Sequence, residues 1–240
     1  MSRNHQWFSQ LPIKNITSYQ PVSGGDINEA YQITADGKRY FIKVQPNHPA
    51  DYFRHEINGL KALGQAVNTP TPLHNGVING DAYLVLNWLD ESTGSQADLG
   101  RAVARLHQQT NDQFGFVDNH QTKALIKDNS WNNSWADFYV NQRLLPEVKV
   151  AADRGRWNRW REEHFQQMVK QFQQYYQDRD VKASLLHGDL WAGNFMFAGD
   201  HEPYLIDPDA VYGDREFDLA MTTVFGGFDE DFYHAYNAAY

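Results

Sequence analysis

The chain has 240 residues, of which 41% are hydrophobic and 21% charged, enough to bury a core without disulfides or structural metals. It contains no cysteine, which excludes disulfides, thiolate metal sites and cysteine nucleophiles. Its net charge of −9 argues against binding to a nucleic-acid backbone, and no apolar run approaches the ~20 residues of a membrane span. The polar first ten residues lack the apolar stretch of a signal peptide, so the cytoplasm is the expected compartment.

In chain order, residues 14–31 are polar and turn-rich around Ser23-Gly24-Gly25-Asp26, which predicts a hairpin. Arg39-Tyr40-Phe41-Ile42-Lys43-Val44 reads as a strand. After a proline-marked turn at 46–49, Tyr52, Phe53, Ile57, Leu60 and Leu63 recur at helical spacing, with Gly64 as the stop. Residues 69–72 read as an extended linker and 81–86 as a buried strand. Composition then changes. Ser95 is placed to cap a helix over 98–109, and 135–145, 157–176 and 217–224 also read as helices. The stretch 116–133 reads as an irregular loop, and 185–186 and 204–206 as short strands. The expected fold class is α+β: a small, antiparallel, β-rich lobe with one helix over 1–90, and a larger, mainly helical lobe over 91–240. A cleft between two such lobes is a common place for a small ligand.

The strongest chemical signal is His187-Gly188-Asp189-Leu190-Trp191-Ala192-Gly193-Asn194. Asp189 and Asn194 stand five residues apart, as do the Asp and Asn of a kinase catalytic loop. Asp189 can accept a proton from an attacking hydroxyl. Asn194 offers an oxygen to Mg²⁺, a hard cation that prefers such ligands. Asp207, eighteen residues after Asp189, ends a predicted strand where a carboxylate can bridge Mg²⁺ to nucleotide phosphates. Upstream, Lys43 on a strand and Glu56 on the next helix match the pairing by which kinases hold phosphates.

Weaker signals surround these. Gly24 and Gly25 would let backbone approach phosphate oxygens, although a plain hairpin turn explains them equally well. Asn87, Trp88 and Leu89 follow an apolar strand, and only their place in the motif order suggests an adenine-binding hinge. Asp218 opens a helix, either complementing its dipole or accepting N–H groups of the catalytic loop; His187 is a second candidate brace. Asp214, Arg215 and Glu216 are too polar for a core, so they either line the substrate side or are solvated. His55 is assigned to the surface, and Trp157 and Trp160 to packing. The ten histidines show no metal-binding spacing, and no Walker A or G-x-S-x-G motif is present.

Val22-Ser23-Gly24-Gly25-Asp26-Ile27-Asn28, the string from His187 to Asn194, and Asp207-Pro208 together resemble the fructosamine kinase family. So do Tyr212-Gly213-Asp214-Arg215-Glu216, Asp218-Leu219-Ala220-Met221-Thr222, Phe225-Gly226-Gly227-Phe228, Phe114-Gly115-Phe116 and Gln142-Arg143-Leu144. The resemblance covers essentially the whole chain. It implies a bilobal protein-kinase-like fold of the aminoglycoside phosphotransferase type. It also implies ATP- and Mg²⁺-dependent phosphorylation of a ketosamine sugar hydroxyl, which makes the adduct labile and deglycates the amine. On that basis Asp189 is the general base, Asn194 and Asp207 hold Mg²⁺, Lys43 and Glu56 anchor phosphates, and 87–89 form the hinge. Trp191 becomes a candidate wall for the sugar.

The chain departs from the family pattern in four places. Asn87 stands where Glu is more frequent. Ala124-Leu125-Ile126-Lys127-Asp128-Asn129-Ser130-Trp131 replaces the usual T-P-Q-x-N-x-W, which puts acceptor identity in question. Asp26 stands where some relatives carry Cys. The chain stops at Tyr240, short of the family's further helices, as either a short member or a truncated one, whose exposed apolar surface would favour a dimer; a monomer or a homodimer is expected. The alternatives are a kinase of another aminated small molecule, such as an aminoglycoside, or an inactive nucleotide-binding kinase-like protein.

Overall fold

A computed structural model describes residues 3–22, 28–122 and 125–240. Gly24 and Gly25 lie outside the described residues. The small lobe is built on five antiparallel strands, β1 (Ile16–Pro21), β2 (Glu29–Ala35), β3 (Lys38–Gln45), β4 (Pro72–Ile78) and β5 (Asp81–Asn87), in the order β1-β2-β3-β5-β4. The 69–72 linker therefore ends in a strand that the sequence did not suggest. Alternation along the strands divides the core in two. Ile33, Ile42, Val44, Tyr83 and Val85 face a short helix α1 (His5–Phe8), which contributes Trp7 and Phe8. Ala82, Leu84 and Leu86 face α2 (Arg54–Leu63), with Phe53 and Leu60. Lys43 sits between Ile42 and Val44, so the pleat turns it toward α2. Helix α1 comes from ten residues that read as merely polar; Asn4 caps it, accepting from the Trp7 N–H at 3.2 Å.

The large lobe opens with strand β6 (Glu91–Ser92) and α3 (Gln96–His107), where Ser95 Oγ accepts from the Asp98 N–H at 3.3 Å. It continues with β7 (Thr110–Asn111), β8 (His120–Gln121) and β9 (Ile126–Lys127), then α4 (Trp135–Tyr139). The 116–133 stretch is thus partly a small antiparallel hairpin, β8–β9. The single helix expected over 135–145 is instead α4, a π-turn at Val140–Leu144, and α5 (Leu145–Asp153). Then follow α6 (Arg159–Tyr176), β10 (Ala183–Leu186), a 3₁₀ turn at Ala192–Asn194, β11 (Phe195–Ala198), β12 (Glu202–Leu205), β13 (Val211–Gly213), α7 (Glu216–Thr222) and α8 (Glu230–Ala239). Helices α3 and α8 pack side by side around Leu99, Val103, Leu106, Phe232 and Tyr236. Only glycine fits at position 100, because a Cβ there would lie 2.3 Å from the Phe232 carbonyl oxygen. Among the described residues, no helix is long and apolar enough to cross a membrane.

Two strand pairs position the chemistry. Antiparallel β11 and β12 pair Phe195 with Leu205, so the residues just outside the hairpin, Asn194 and Asp207, come to the same end. The Ile206 N–H donates to the Asn194 carbonyl at 3.0 Å, which extends the pairing. Antiparallel β10 and β13 pair Leu186 with Val211, which brings His187 opposite Asp209; the Asp209 N–H donates to the His187 carbonyl at 2.9 Å.

Candidate active site

The catalytic loop is held from below by one buried carboxylate. Asp218 accepts from the His187 N–H at 2.6 Å and from the Gly188 N–H at 2.9 Å. His107 Nε2 lies 3.2 Å from the same carboxylate, and its Nδ1 lies 2.8 Å from the Tyr236 hydroxyl, so α3 and α8 fix the brace in turn. Above, His187 Nδ1 accepts from the Asp189 N–H at 3.3 Å while Nε2 donates to the Ile206 carbonyl at 2.8 Å. Those two bonds require a neutral imidazole carrying its proton on Nε2. Gly188 has φ +82°, and a Cβ there would lie 1.8 Å from the Asp209 carbonyl oxygen, so no other residue fits.

Asp189 projects from this loop into the cleft. Asn194 Nδ2 donates to its Oδ2 at 2.9 Å and to its backbone carbonyl at 2.8 Å. Burial pushes the Asp189 carboxyl above its ordinary value, against the hydrogen bond from Asn194. With its amide nitrogen engaged, Asn194 keeps its side-chain oxygen for a cation. Asp207 has φ +53°, a left-handed conformation that Asp tolerates better than most residues and that recurs at functional sites. Together the two offer only oxygen donors, the set a hard divalent cation such as Mg²⁺ prefers.

Lys43 arrives from the small lobe. Its Nζ is 2.7 Å from Glu56 Oε1 and also pairs with Asp207 Oδ1, linking the two lobes. Burial alone would lower its pKa, but the Glu56 and Asp207 carboxylates overcome this and raise it, so Lys43 stays a cation. Lys43, Glu56, Asp189, Trp191, Asn194 and Asp207 all line one cavity of about 420 Å³.

Similarity to known proteins agrees with this geometry. The sequence profile of the fructosamine kinase family matches residues 1–240. The chain belongs to the fructosamine kinase family. It is 50% identical over 234 residues to the probable ketoamine kinase of Lactiplantibacillus plantarum, covering 98% of this chain and 84% of that protein. The crystal structure of a putative fructosamine-3-kinase from Haemophilus somnus superposes with a TM-score of 0.83 at 25% identity, over 98% of this chain and 79% of the other. An aminoglycoside phosphotransferase solved with ADP and hygromycin B shares the fold, with a TM-score of 0.59 at 14% identity over 86% of this chain and 71% of the other. The fold is therefore the kinase-like one of this family.

Other residues expected at the site are placed differently. Asp214 is not on the cleft. It is buried, accepts from the Tyr176 hydroxyl at 2.7 Å and accepts from the Glu216 N–H at 3.1 Å where α7 begins. The polar cluster at 214–216 is thus partly internal, because each carboxylate oxygen of Asp214 finds a donor. In the hinge, Asn87 Oδ1 accepts from the Thr71 N–H at 2.5 Å, the Asn87 N–H donates to the Thr71 carbonyl at 3.2 Å, and Trp88 stacks under Arg39, so Asn87 and the Trp88 side chain serve the small lobe. Trp191 is partly exposed and meets Phe225 edge-on at 5.7 Å. Trp157 packs on Phe165, but Trp160 is exposed and stacks only on His164, so it is not a packing residue.

The largest correction concerns His55. It is only 3% exposed, not a surface residue. Its Nδ1 lies 2.9 Å from Asp118 Oδ1 and its Nε2 3.2 Å from Asp209 Oδ1. Burial opposes its charge, but the Asp209 and Asp118 carboxylates win and raise its pKa. His120 and Lys127, from the hairpin β8–β9, converge on the same Asp209. Sequence reasoning missed this group. The one available signal was the position of Asp209, two residues beyond Asp207.

Proposed function

We propose that this chain is an ATP-dependent ketosamine kinase that phosphorylates a sugar hydroxyl of fructosamine- or ribulosamine-type adducts and so promotes deglycation. The observation that carries the reading is the meeting of Lys43, Asp189, Asn194 and Asp207 in one cavity of a fructosamine kinase family chain. In this reading residues 1–90 bind the nucleotide and 91–240 carry the reaction. The acceptor hydroxyl gives its proton to Asp189 while its oxygen attacks the γ-phosphorus. The bond from that phosphorus to the β,γ-bridging oxygen breaks, and the electron pair leaves with ADP. Lys43, positioned by Glu56, neutralises the phosphates. Asn194 and Asp207 would hold Mg²⁺, which when bound supplies further charge neutralisation. Main-chain groups of residues 88–89 would meet the base, and Trp191 offers an apolar wall to the sugar.

The charge pattern favours a sugar over a polycationic aminoglycoside. Three of the four carboxylates that line the cleft are already paired, Glu56 and Asp207 with Lys43 and Asp209 with Lys127 and two histidines, which leaves Asp189 without a salt bridge. An inactive binding protein is disfavoured because all five kinase positions, Lys43, Glu56, Asp189, Asn194 and Asp207, are filled. The test is ADP release with Mg·ATP and three acceptors: a fructosamine, a ribulosamine and an aminoglycoside. Turnover on a ketosamine is expected. ATP binding without turnover on any acceptor would refute the reading.

A further inference from the structure

Three side chains from two lobes end on one carboxylate beside the catalytic loop. Asp209 Oδ1 lies 3.2 Å from His55 Nε2 on α2 and 2.7 Å from His120 Nδ1 on β8, and Oδ2 pairs with Lys127 on β9. The backbone of Asp209 is bonded to His187 and closes against Gly188. One residue thus joins the catalytic loop, through its main chain, to the β8–β9 hairpin, through its side chain.

The hairpin is fastened beyond β9 as well. Arg143, on the π-turn, donates to the Asp128 carbonyl at 2.8 Å and bonds to Asn129 Oδ1, and Gln142 donates to the Ser130 carbonyl at 2.9 Å. His120, Gln121 and Lys127 face the cavity that holds Asp189, and no hinge residue reaches that cavity. The hairpin therefore walls the cavity in which Lys43, Asp189, Asn194 and Asp207 meet, and the hinge does not.

His55, His120 and Asp209 lie close enough to suggest a metal centre. Their geometry opposes it. The two imidazoles stack 4.6 Å apart and 13° from parallel, whereas an ion must lie in the plane of each ring it binds. The Lys127 ammonium holds the second carboxylate oxygen. The cluster is a clamp.

We propose that Asp209 is a positioning residue: its carboxylate docks the β8–β9 hairpin as the acceptor-side wall of the cleft, and this wall sets how the acceptor sugar is held at Asp189 while leaving nucleotide binding untouched. The inference rests on the kinase reading above. It also gives a physical role to the segment that departs from the family pattern, because acceptor choice follows from which side chains the clamp presents.

The test measures KM for ATP, KM for the acceptor and direct ADP affinity for the wild type, Asp209→Ala and Lys127→Met. A charge-assisted bond is worth on the order of tenfold in affinity, so both variants should raise acceptor KM by about that factor. ATP KM and ADP affinity should stay within about twofold. A purely structural role would move both substrates together, and that result, or an unchanged acceptor KM, overturns the inference. If Asp209→Ala does not fold, Lys127→Met, altered at a partly exposed side chain, carries the same decision. A wild type inactive on every acceptor overturns the proposed function and this inference with it; an active wild type without the split overturns this inference alone.

Discussion

The two ends of the cleft are built in different ways. At the phosphate end, Lys43, Glu56, Asp189, Asn194 and Asp207 are held by strand register and by short loops, and their spacings along the chain repeat a known chemical pattern. At the acceptor end, His55, Asp118, His120, Lys127 and Asp209 come from separate segments and meet only through side chains. The comparison teaches that backbone-encoded sites announce themselves in sequence. Side-chain clamps do not, because no fixed spacing links their members.

The sharpest way to probe the phosphate end is Asp189→Asn. General-base assistance contributes roughly 10²- to 10⁴-fold, so kcat should fall by about that amount while ADP affinity persists. Calorimetric titration of ADP beside a turnover assay checks both. A variant with full turnover would remove Asp189 from the reaction and erase the distinction between the two ends.

Next in size is the support beneath both ends. Asp218→Ala leaves the His187 and Gly188 N–H groups without their acceptor. Bonds to a buried charge are worth about 1.5–3 kcal/mol each, and a chain of this size loses roughly 2–4 °C in Tm per kcal/mol. A thermal melt should show a drop of several degrees together with a loss of kcat. An unchanged melt would mean that the loop does not depend on its brace.

A smaller, pH-dependent effect distinguishes the acceptor end. His55 has a folded pKa raised above its unfolded value of about 6.5. A raised histidine pKa stabilises the fold fully below that unfolded value, and the contribution is lost as pH rises through the folded one. The Tm difference between wild type and His55→Gln should therefore be largest near pH 5.5 and shrink toward pH 8. A difference independent of pH would show that His55 acts by packing, not by charge. The smallest effect is expected at Trp160→Ser, within about 0.5 kcal/mol by denaturant titration, because the ring is exposed and rests only on His164.

Legibility followed the same division inside the fold. Strands β3 and β5 and helices α2, α3 and α6 stand where periodicity put them, since each carries a continuous apolar face, whereas β2 runs four residues past the 14–31 stretch read as a hairpin. Strands β4, β11 and β13 and helix α8 were not foreseen. In β4 only Ile78 is fully buried, so that strand shows no apolar alternation. The π-turn at Val140–Leu144 interrupts what the pattern 135–145 makes a single helix, and it aims Arg143 at the hairpin.

The sequence by itself determined the lobed plan, the family and the set of residues Lys43, Asp189, Asn194 and Asp207 that meet in one cavity, because these depend on local periodicity and on short-range spacings. Only the tertiary structure decided that Asp214 turns inward to Tyr176, and that His55 is buried between two carboxylates. It alone joined Asp209 to a hairpin nearly ninety positions away in the chain. The physical reason is that such contacts are chosen by unmet charge and hydrogen-bonding need once segments pack together, and a linear pattern does not carry that information.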